Sequence, residues 1–415
     1  MTMVRLPYGS DHIELELKAE ILAGEGDGVS IGEENDARAL LRHAVRNPLG
    51  TTRLRDLIAS KPDAAIVVVV DDHTRAAPSE LMLDALIEEL GEAHADRITA
   101  LVACGTHKQP PEADLKRMLG HHYGRIRLAI HDCDAPDLEF VATTTRGTPL
   151  WVNPTYLHAD VKILTGDITL HYYAGFGGGR KSILPGIAGR ETIQRNHALL
   201  VHPQARTAHL KQNPVHLDMV EAASVAPPDF VLNCLAAPSG ILVAAYAGAL
   251  SPVFAAGVAR AQHLLCRPVR AVYDLLVVSA GGFPKDRNLF QALKAVENCY
   301  HAVVPGGSLI LVAECRDGIG DPIFEAWMDR YPSFSAVAEA IQRIFELGGH
   351  KAYYLRRVMQ QLNLSLVSKL APEDLARWLI PAFPSLTEAL AAATCSTKPR
   401  SGVVQNGFDT FFEPG

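Results

Sequence analysis

Short runs of β-branched residues alternate with segments of helical periodicity along this chain, and that alternation constrains the fold more than any other feature. The run from Ala65 to Val70 is short, rich in valine and followed by two aspartates, which is typical of a buried strand in a parallel sheet. Apolar side chains then recur at helical spacing from Ser79 to Glu92, and Ile98 to Ala103 predicts a second strand. This order favours a mainly parallel sheet with helices on both faces.

The same alternation returns in the last third of the chain. Asp274 to Ser279 predicts a strand, Leu289 to Val303 a helix, and Ser308 to Val312 a further strand. We therefore predict an α/β fold of two domains with mainly parallel sheets flanked by helices, and an active site in the cleft between them. The predicted boundaries give an N-terminal domain of residues 1–267, a C-terminal domain of residues 268–400 and a tail of residues 401–415.

Charge and cysteine usage narrow the class of protein. The chain has 415 residues with a formal net charge of −7, and this acidic balance argues against a nucleic-acid-binding protein. Its seven cysteines include no C-x-x-C pair, which is typical of reduced thiols and not of a disulfide framework. We expect a cytoplasmic protein outside the membrane, because no apolar run approaches the roughly 20 residues that cross a bilayer. The first residues also lack the layout of a signal peptide.

Three polar clusters follow predicted strands, which is where ligands bind in open α/β sheets. The clusters are Asp71 to Arg75, Thr106 to Lys108 and Gly281 to Arg287. Any strand end tends to be polar, so a single cluster would indicate little. Three of them in one chain favour a functional site.

Several side chains in or near these clusters suit acid–base chemistry or anion binding. Arg75 could hold a carboxylate through two hydrogen bonds, and Asp72 could orient an imidazole. His107 is available as a general base, because an ordinary histidine titrates near neutral pH. Gln291 and Lys294 share one helical face and could hold a carboxylate or a developing alkoxide. Each group, taken alone, fits a capped turn or an exposed helix face equally well.

A glycine-rich segment begins at His171 and reads H-Y-Y-A-G-F-G-G-G-R-K-S. Glycines let the backbone approach a ligand closely, and the N-terminus of a following helix favours an anion. The segment resembles a P-loop, but Arg180 stands where both the P-loop and the dinucleotide fingerprint require glycine. A turn without a ligand is the alternative, although four glycines within five residues beside a histidine and a lysine favour a ligand site.

His197 is the best candidate for a metal ligand. A helix is predicted from Gly189 to Leu200, and Ile193 and His197 lie on the same face of it. The chain has no H-E-x-x-H motif, so a zinc site made of protein ligands alone is poorly supported. Three further histidines recur among prolines that interrupt any continuous helix, and we expect them at the surface: His202, His209 and His216.

Taken together, these strings resemble the lactate racemase family in an order and spacing that cover nearly the whole chain. The string from His171 to His197 is the most specific of them. The other matching strings are Asp71 to Arg75 with Pro78, Gly105 to His107, Gly281 to Lys294 and Gly349 to Ala352.

The resemblance implies a 2-hydroxyacid racemase or epimerase that carries a nickel-pincer nucleotide, a pyridinium-3,5-bisthiocarboxylic acid mononucleotide that binds nickel. Lys181 matches the lysine that holds this cofactor through a thioamide, and His197 matches the histidine that completes the square plane of the nickel. Such a protein depends on other enzymes that synthesise the cofactor. We also predict that the cofactor contacts the backbone of Gly177, Gly178 and Gly179.

In the family two histidines act as acid and base, one for each hand of the substrate, and they match His107 and His171. The C2 hydrogen moves as hydride to the cofactor and returns to the other face of the 2-keto acid. Asp72 is implied to orient His107. The residues that bind the substrate carboxylate and oxygen match Arg75, Gln291 and Lys294.

The identity of the small-molecule substrate stays open in the sequence. Thr169 and Leu170 depart from the residues associated with lactate-specific members, so malate or a sugar acid such as gluconate stands beside lactate. A zinc-dependent hydrolase using Asp71, Asp72 and the histidines is a further alternative, and it would need three protein ligands around one ion. A nucleotide-binding module is another, and it would need phosphate contacts in the glycine-rich segment. Whether the chain forms a homo-oligomer cannot be read from the sequence.

Overall fold

The computed structural model describes residues 2–23, 36–61, 63–75, 77–237, 240–269, 272–393 and 399–414. Cys395, one of the seven cysteines, lies outside these ranges. The chain divides into two compact units. We call Ser30–Leu264 the central unit, and Met1–Val29 together with Leu265–Gly415 the terminal unit.

The strands are, in chain order, β1 (Thr2–Tyr8), β2 (Asp11–Leu17), β3 (Glu20–Ala23), β4 (Ile66–Asp71), β5 (Ile98–Ala103), β6 (Arg127–Ile130), β7 (Glu139–Thr143), β8 (Pro149–Val152), β9 (Val161–Asp167), β10 (Leu170–His171), β11 (Gly175–Phe176), β12 (Phe230–Ala236), β13 (Leu242–Gly248), β14 (Cys266–Val269), β15 (Tyr273–Ser279), β16 (Val303–Val312), β17 (Asn363–Val367), β18 (Ala382–Phe383), β19 (Ser401–Val404) and β20 (Phe411–Pro414).

The α-helices are α1 (Ala37–Arg46), α2 (Leu54–Ala59), α3 (Ser79–Leu90), α4 (Glu112–Leu119), α5 (Pro154–Leu157), α6 (Arg190–Ala198), α7 (Pro214–Val225), α8 (Leu250–Leu265), α9 (Leu289–Cys299), α10 (Pro322–Arg330), α11 (Phe334–Arg343), α12 (Gly349–Gln361), α13 (Pro372–Ala376) and α14 (Leu386–Ala392). None of the helices in the described ranges combines the length and the apolar character that a bilayer crossing requires. Short 3₁₀ segments cover Glu92–Arg97, Gly120–His122, Gly179–Ser182, Leu199–Val201 and Tyr300–Ala302.

The central unit is built on a sheet with the strand order β13-β12-β9-β4-β5-β6. Its neighbouring strands are parallel except for the antiparallel pair β12 and β13. Strand β4 is buried except at Asp71, as its run of valines predicts, and Val68 and Val70 share a core with Leu83 and Leu86 of α3. The chain passes from β4 to β5 and β6 on one side and continues through β9 and β12 on the other. The strand order therefore reverses between β4 and β9, where open α/β sheets bind ligands.

The terminal unit has its own parallel sheet, with the order β18-β17-β16-β15-β19-β3. Here the order reverses between β15 and β19, and α9 follows β15. Val277, Ile310 and Val403 of the sheet pack in one core with Leu6 of β1. The predicted α/β class, with mainly parallel sheets flanked by helices, is confirmed.

The first 29 residues differ from the predicted division, which assigned residues 1–267 to one domain. They belong to the terminal unit, because β3 pairs with β19 and the backbone N–H of Gly9 donates to Asp286 Oδ2 at 2.6 Å. Residues 401–414 are also part of that sheet system and not a separate tail, since β19 pairs with β15 and β20 with β14. Sequence patterns do not show such pairings, because the paired strands lie far apart along the chain.

Candidate active site

Three neighbouring parallel strands of the central unit, β5, β4 and β9, end at the same edge of the sheet. Strand β4 ends at Asp71, β9 ends at Asp167, and the turn to His107 follows β5. The N–H of Gly105 in that turn donates to the carbonyl oxygen of Gly186 at 3.0 Å, which holds the turn against the segment after Lys181. The predicted polar side chains therefore gather where the strand order reverses.

His107 and Asp72 form a hydrogen-bonded pair, with His107 Nδ1 lying 2.5 Å from Asp72 Oδ2. The other oxygen of Asp72 accepts hydrogen bonds from the backbone N–H and the hydroxyl of Thr74, at 2.9 and 2.6 Å. Burial would raise the pKa of the Asp72 carboxyl, but the hydrogen bonds from His107 and Thr74 outweigh it and hold that pKa below its ordinary value. An ionised Asp72 keeps the His107 proton on Nδ1, which leaves the lone pair of Nε2 to accept a proton.

His171 has a different environment. Its Nδ1 accepts a hydrogen bond from the backbone N–H of Ala174 at 3.3 Å, and its ring meets the ring of Tyr173 edge-on at 4.5 Å. Burial, and then the positive charges of Lys181 and Arg75, hold the pKa of His171 well below its ordinary value. His171 is therefore a neutral imidazole at pH 7, and it lies within electrostatic reach of both cations.

The pKa of Lys181 lies well below its usual range. Burial is the main cause, and the charges of Arg75 and Arg180 act in the same direction, while Asp71 and Asp167 oppose them. A lowered pKa increases the fraction of neutral amine at a given pH, and neutral amine is the nucleophilic form. Lys181 is thus suited to a covalent attachment.

Asp71, at the end of β4, is an unusual carboxyl group. Burial, and then the charge of Asp167, raise its pKa to about 7. Its Oδ2 is buried and makes no hydrogen bond within the described part of the chain. The two carboxyl groups thus place negative charge near Lys181, and the amount of this charge changes with pH near neutrality.

Arg180, which occupies the position of the missing motif glycine, holds the glycine-rich loop together. It is 1% exposed and donates to the carbonyl oxygens of Ala174 at 2.8 Å and Gly178 at 3.1 Å, and to His216 Nδ1 at 3.1 Å. Its guanidinium also lies 4.2 Å from the ring centroid of Phe254. Arg180 is therefore bound by this chain's own groups and not presented to a ligand.

The glycines of this loop are required by internal packing. A Cβ at Gly177 would lie 2.6 Å from Thr169 Oγ1, and one at Gly178 would lie 2.7 Å from Ile168 Cδ1. Gly178 also has a φ of +73°, which disfavours any other residue. The loop continues into the 3₁₀ segment Gly179–Ser182, and the predicted helix follows only from Arg190, so the loop lacks the helix N-terminus of a phosphate-binding loop.

Replacing Arg180 by lysine is expected to lower the free energy of unfolding by about 2–4 kcal/mol, because a buried ammonium cannot reproduce the hydrogen bonds of the planar guanidinium. Chemical denaturation of the two proteins measures the difference. The matched control is Arg195→Lys at an exposed position on α6, where a change within about 0.5 kcal/mol is expected. Equal stabilities of Arg180→Lys and the control would show that the hydrogen bonds of Arg180 contribute little to the stability of the fold.

His197 lies on α6, as predicted, and is buried. Its Nδ1 is 3.1 Å from Asn196 Oδ1. The amide nitrogen of Asn196 already donates to Val215 O at 3.2 Å and to Asp218 Oδ2 at 2.8 Å, so its oxygen is the acceptor. The proton of His197 is therefore on Nδ1, and the lone pair on Nε2 is suited to a metal ion.

Groups of protein ligands that could share one ion lie elsewhere within the described ranges. One is Asp84 with His121 and His122, and the other is formed by residues 132–134. Neither group contains Asp71, Asp72, His107, His171 or His197, so among the described residues these side chains do not form the three converging ligands of a zinc hydrolase. A single histidine ligand requires that the remaining donors come from another molecule.

In the terminal unit, Gln291 and Lys294 both lie on α9, one turn apart. Asn288 caps this helix by accepting from the backbone N–H of Gln291 at 2.9 Å. Gln291 is exposed, and Lys294 Nζ lies 4.0 Å from the ring centroid of Phe408. Both residues are thus carried by a capped helix.

His216 was expected at the surface and is buried, which is a wrong prediction. It accepts the hydrogen bond of Arg180 and stacks on Phe254 at 5.8 Å. The proline before it does not interrupt a helix but occupies the first position of α7, with Asn213 as the cap. The sequence Asn-Pro could have shown this helix start.

The comparisons with known proteins agree with this architecture. Residues 8–208 match the family model described as the lactate racemase N-terminal domain, and residues 269–408 match the lactate racemase C-terminal domain. A curated lactate racemase of Thermoanaerobacterium thermosaccharolyticum is 32% identical over 338 residues, which cover 79% of this chain and 78% of that protein. A second, from Lactiplantibacillus plantarum, is 30% identical over 327 residues, which cover 77% and 76%.

Solved structures give the same result. The lactate racemase apoprotein of Thermoanaerobacterium thermosaccharolyticum matches with a TM-score of 0.89 and 27% identity, covering 99% of this chain and 100% of that one. A protein of Thermotoga maritima, at 16% identity and a TM-score of 0.66, shares the fold over 92% of this chain. These matches define a class of isomerases built from two α/β units. The chain belongs to the lactate racemase family.

Proposed function

We propose that this protein inverts C2 of a small 2-hydroxy acid, and that lactate, the substrate in the names of its relatives, is the first candidate. The observation that carries the proposal is the pair of unlike histidines. Asp72 holds His107 with a lone pair at Nε2, while His171 is neutral and lies near the basic side chains of Lys181 and Arg75. Racemisation needs two such groups, because the hydroxyl proton must leave from either enantiomer.

The residues present fit a covalently held nickel-pincer nucleotide. Lys181 offers an amine of lowered pKa for attachment, and His197 offers Nε2 to nickel. When bound, this cofactor supplies a hydride acceptor for substrate C2. His107 accepts the hydroxyl proton of one enantiomer at Nε2, His171 serves the other, and Arg75 binds the carboxylate. The cofactor contacts of residues 177–179 and the substrate contacts of Gln291 and Lys294 remain predictions.

The internal contacts of three basic side chains favour a substrate with one carboxylate over malate. Arg180 is buried by its own contacts, Lys285 Nζ lies 2.5 Å from Asp409 Oδ2, and Arg287 binds Asp317 at 2.6 Å. A second carboxylate bound by any of these three side chains would have to displace its internal partner, which costs the partner its charge-assisted hydrogen bond, whereas Lys108 next to His107 is exposed. A lactate-like substrate makes no such demand.

The test uses the chain co-expressed with enzymes that synthesise the cofactor. We expect an intact-mass increase of mononucleotide size, nickel by elemental analysis, and interconversion of D- and L-lactate seen by chiral chromatography. Malate and gluconate, offered in the same panel, should react more slowly. A loaded protein that leaves lactate unchanged would contradict the substrate, and an unmodified Lys181 in such a preparation would contradict the cofactor.

A further inference from the structure

A second group of metal-ligating side chains lies in the central unit, between α3 and the turn that follows α4. Asp84 projects from α3, and His121 and His122 end the 3₁₀ segment Gly120–His122. Asp84 Oδ1 lies 3.3 Å from His121 Nε2 and 2.8 Å from His122 Nε2. One ligand atom from each of the three residues lies within 4.8 Å of the others.

These separations are close to those around a tetrahedral ion. Bonds of about 2.1 Å from zinc to nitrogen or oxygen place neighbouring ligand atoms about 3.4 Å apart. The distance from Asp84 to His121, 3.3 Å, is already near that value, and the distance to His122, 2.8 Å, would have to lengthen by roughly 0.6 Å. Two imidazoles and one carboxylate are also a ligand set that suits zinc and its neighbours better than magnesium or calcium.

Glu80 orients His121 by binding Nδ1, the ring nitrogen that does not face Asp84. Its Oε1 lies 3.0 Å from His121 Nδ1 and accepts the backbone N–H of the same residue at 3.2 Å. A metal-bound histidine commonly donates its second ring N–H to a carboxylate in this way. The contact keeps a proton on Nδ1, so Nε2, which faces Asp84, is the nitrogen of His121 that could bind an ion.

The local backbone is shaped to admit this carboxylate. Gly120 has a φ of +52°, and a Cβ at that position would overlap the Glu80 carboxyl group. Arg38 binds Asp84 through Oδ2, which leaves Oδ1 for the two histidines. His122 is held firmly, since its side chain is 2% exposed. The ligands are thus positioned before an ion arrives.

We propose that Asp84, His121 and His122 bind one divalent transition-metal ion, with Zn²⁺ as the best match, and a water molecule in the fourth position. The bound ion cross-links α3 to the turn after α4. This site is separate from Lys181 and His197 in its residues, and it does not depend on the proposed racemase function.

The test titrates the apoprotein, made without the cofactor-synthesis enzymes and freed of metal by chelation. Co²⁺ serves as a spectroscopic probe, because a tetrahedral site gives strong visible absorption, and calorimetry measures Zn²⁺ affinity. We expect one equivalent to bind, and His121→Ala to weaken binding by about 100-fold. Zn²⁺ should also raise the melting temperature of the wild type and not that of this variant.

Two further variants make the result decisive. His158→Ala removes another exposed histidine that is paired with a carboxylate, Glu139, at 2.7 Å, and it should bind Zn²⁺ as the wild type does. His197→Ala should also retain binding. Absence of binding in the wild type would overturn the proposal, as would equal affinities of the wild type and His121→Ala, or binding that is lost only in His197→Ala. Any of these would show that the cluster is a hydrogen-bonded network alone.

Discussion

Lys181→Ala is expected to eliminate the mass adduct and racemisation together, while the chain stays folded. The chain is expected to stay folded because burial, which lowers the pKa of this amine, makes the lysine itself destabilising. Between that lowered pKa and its ordinary value near 10.5, the unfolded chain binds a proton that the folded chain does not, so this group lowers stability as pH falls through that range. Removing it withdraws the penalty, and the free energy of unfolding should stay within about 1 kcal/mol of the wild type.

Intact mass, chiral chromatography and chemical denaturation of the same preparation measure the three properties. Lys211→Ala, at an exposed position, is the matched control and should keep both adduct and activity. Lys181→Met keeps the aliphatic stem and should behave like Lys181→Ala. An adduct or undiminished racemisation in Lys181→Ala would refute attachment at this residue.

His107→Ala and His171→Ala should each reduce kcat in both directions by about 10²–10⁴-fold, because every turnover uses one histidine to remove a proton and the other to return one. The pKa of His171 lies well below 6.5, so its neutral form persists as pH falls past 6.5 and is lost only at lower pH. Rates for D- to L-lactate and L- to D-lactate across pH measure both effects.

The control for the histidine pair is His202→Ala, which removes an exposed histidine of the same unit. It should leave both rates near those of the wild type. Loss of either His107 or His171 without a change of rate in either direction would eliminate the two-base mechanism. A defect in one direction only would eliminate it as well, since the two directions share one reaction path.

Local patterns located most elements that position the candidate site. The prediction for Ile98 to Ala103 has the same limits as β5, and the helix from Ser79 ends two residues before its predicted end. The valine run gave β4 within one residue. These segments were readable because burial against a sheet imposes a regular spacing of apolar residues, and that spacing is visible within ten or fifteen residues.

Other features needed the folded chain. Arg180 is buried because its guanidinium donates hydrogen bonds to carbonyl groups of the loop and to the imidazole of His216 on α7. The tautomer of His197 follows from Asn196, whose own amide is fixed by Val215 and Asp218. No spacing rule reports such contacts, since each depends on where a distant element packs.

The sequence by itself determined the alternation of strands and helices, the histidines and the lysine that carry the proposed chemistry, the position of His107 after a strand and that of His197 on a helix. Only the tertiary structure decided that β3 joins the sheet of the terminal unit, that His107 faces Asp72, and that the amine of Lys181 has a lowered pKa. The physical reason is how far apart along the chain the interacting groups lie. Periodicity is set by neighbours along the chain, whereas strand pairing, tautomers and pKa values are set by groups that meet through folding.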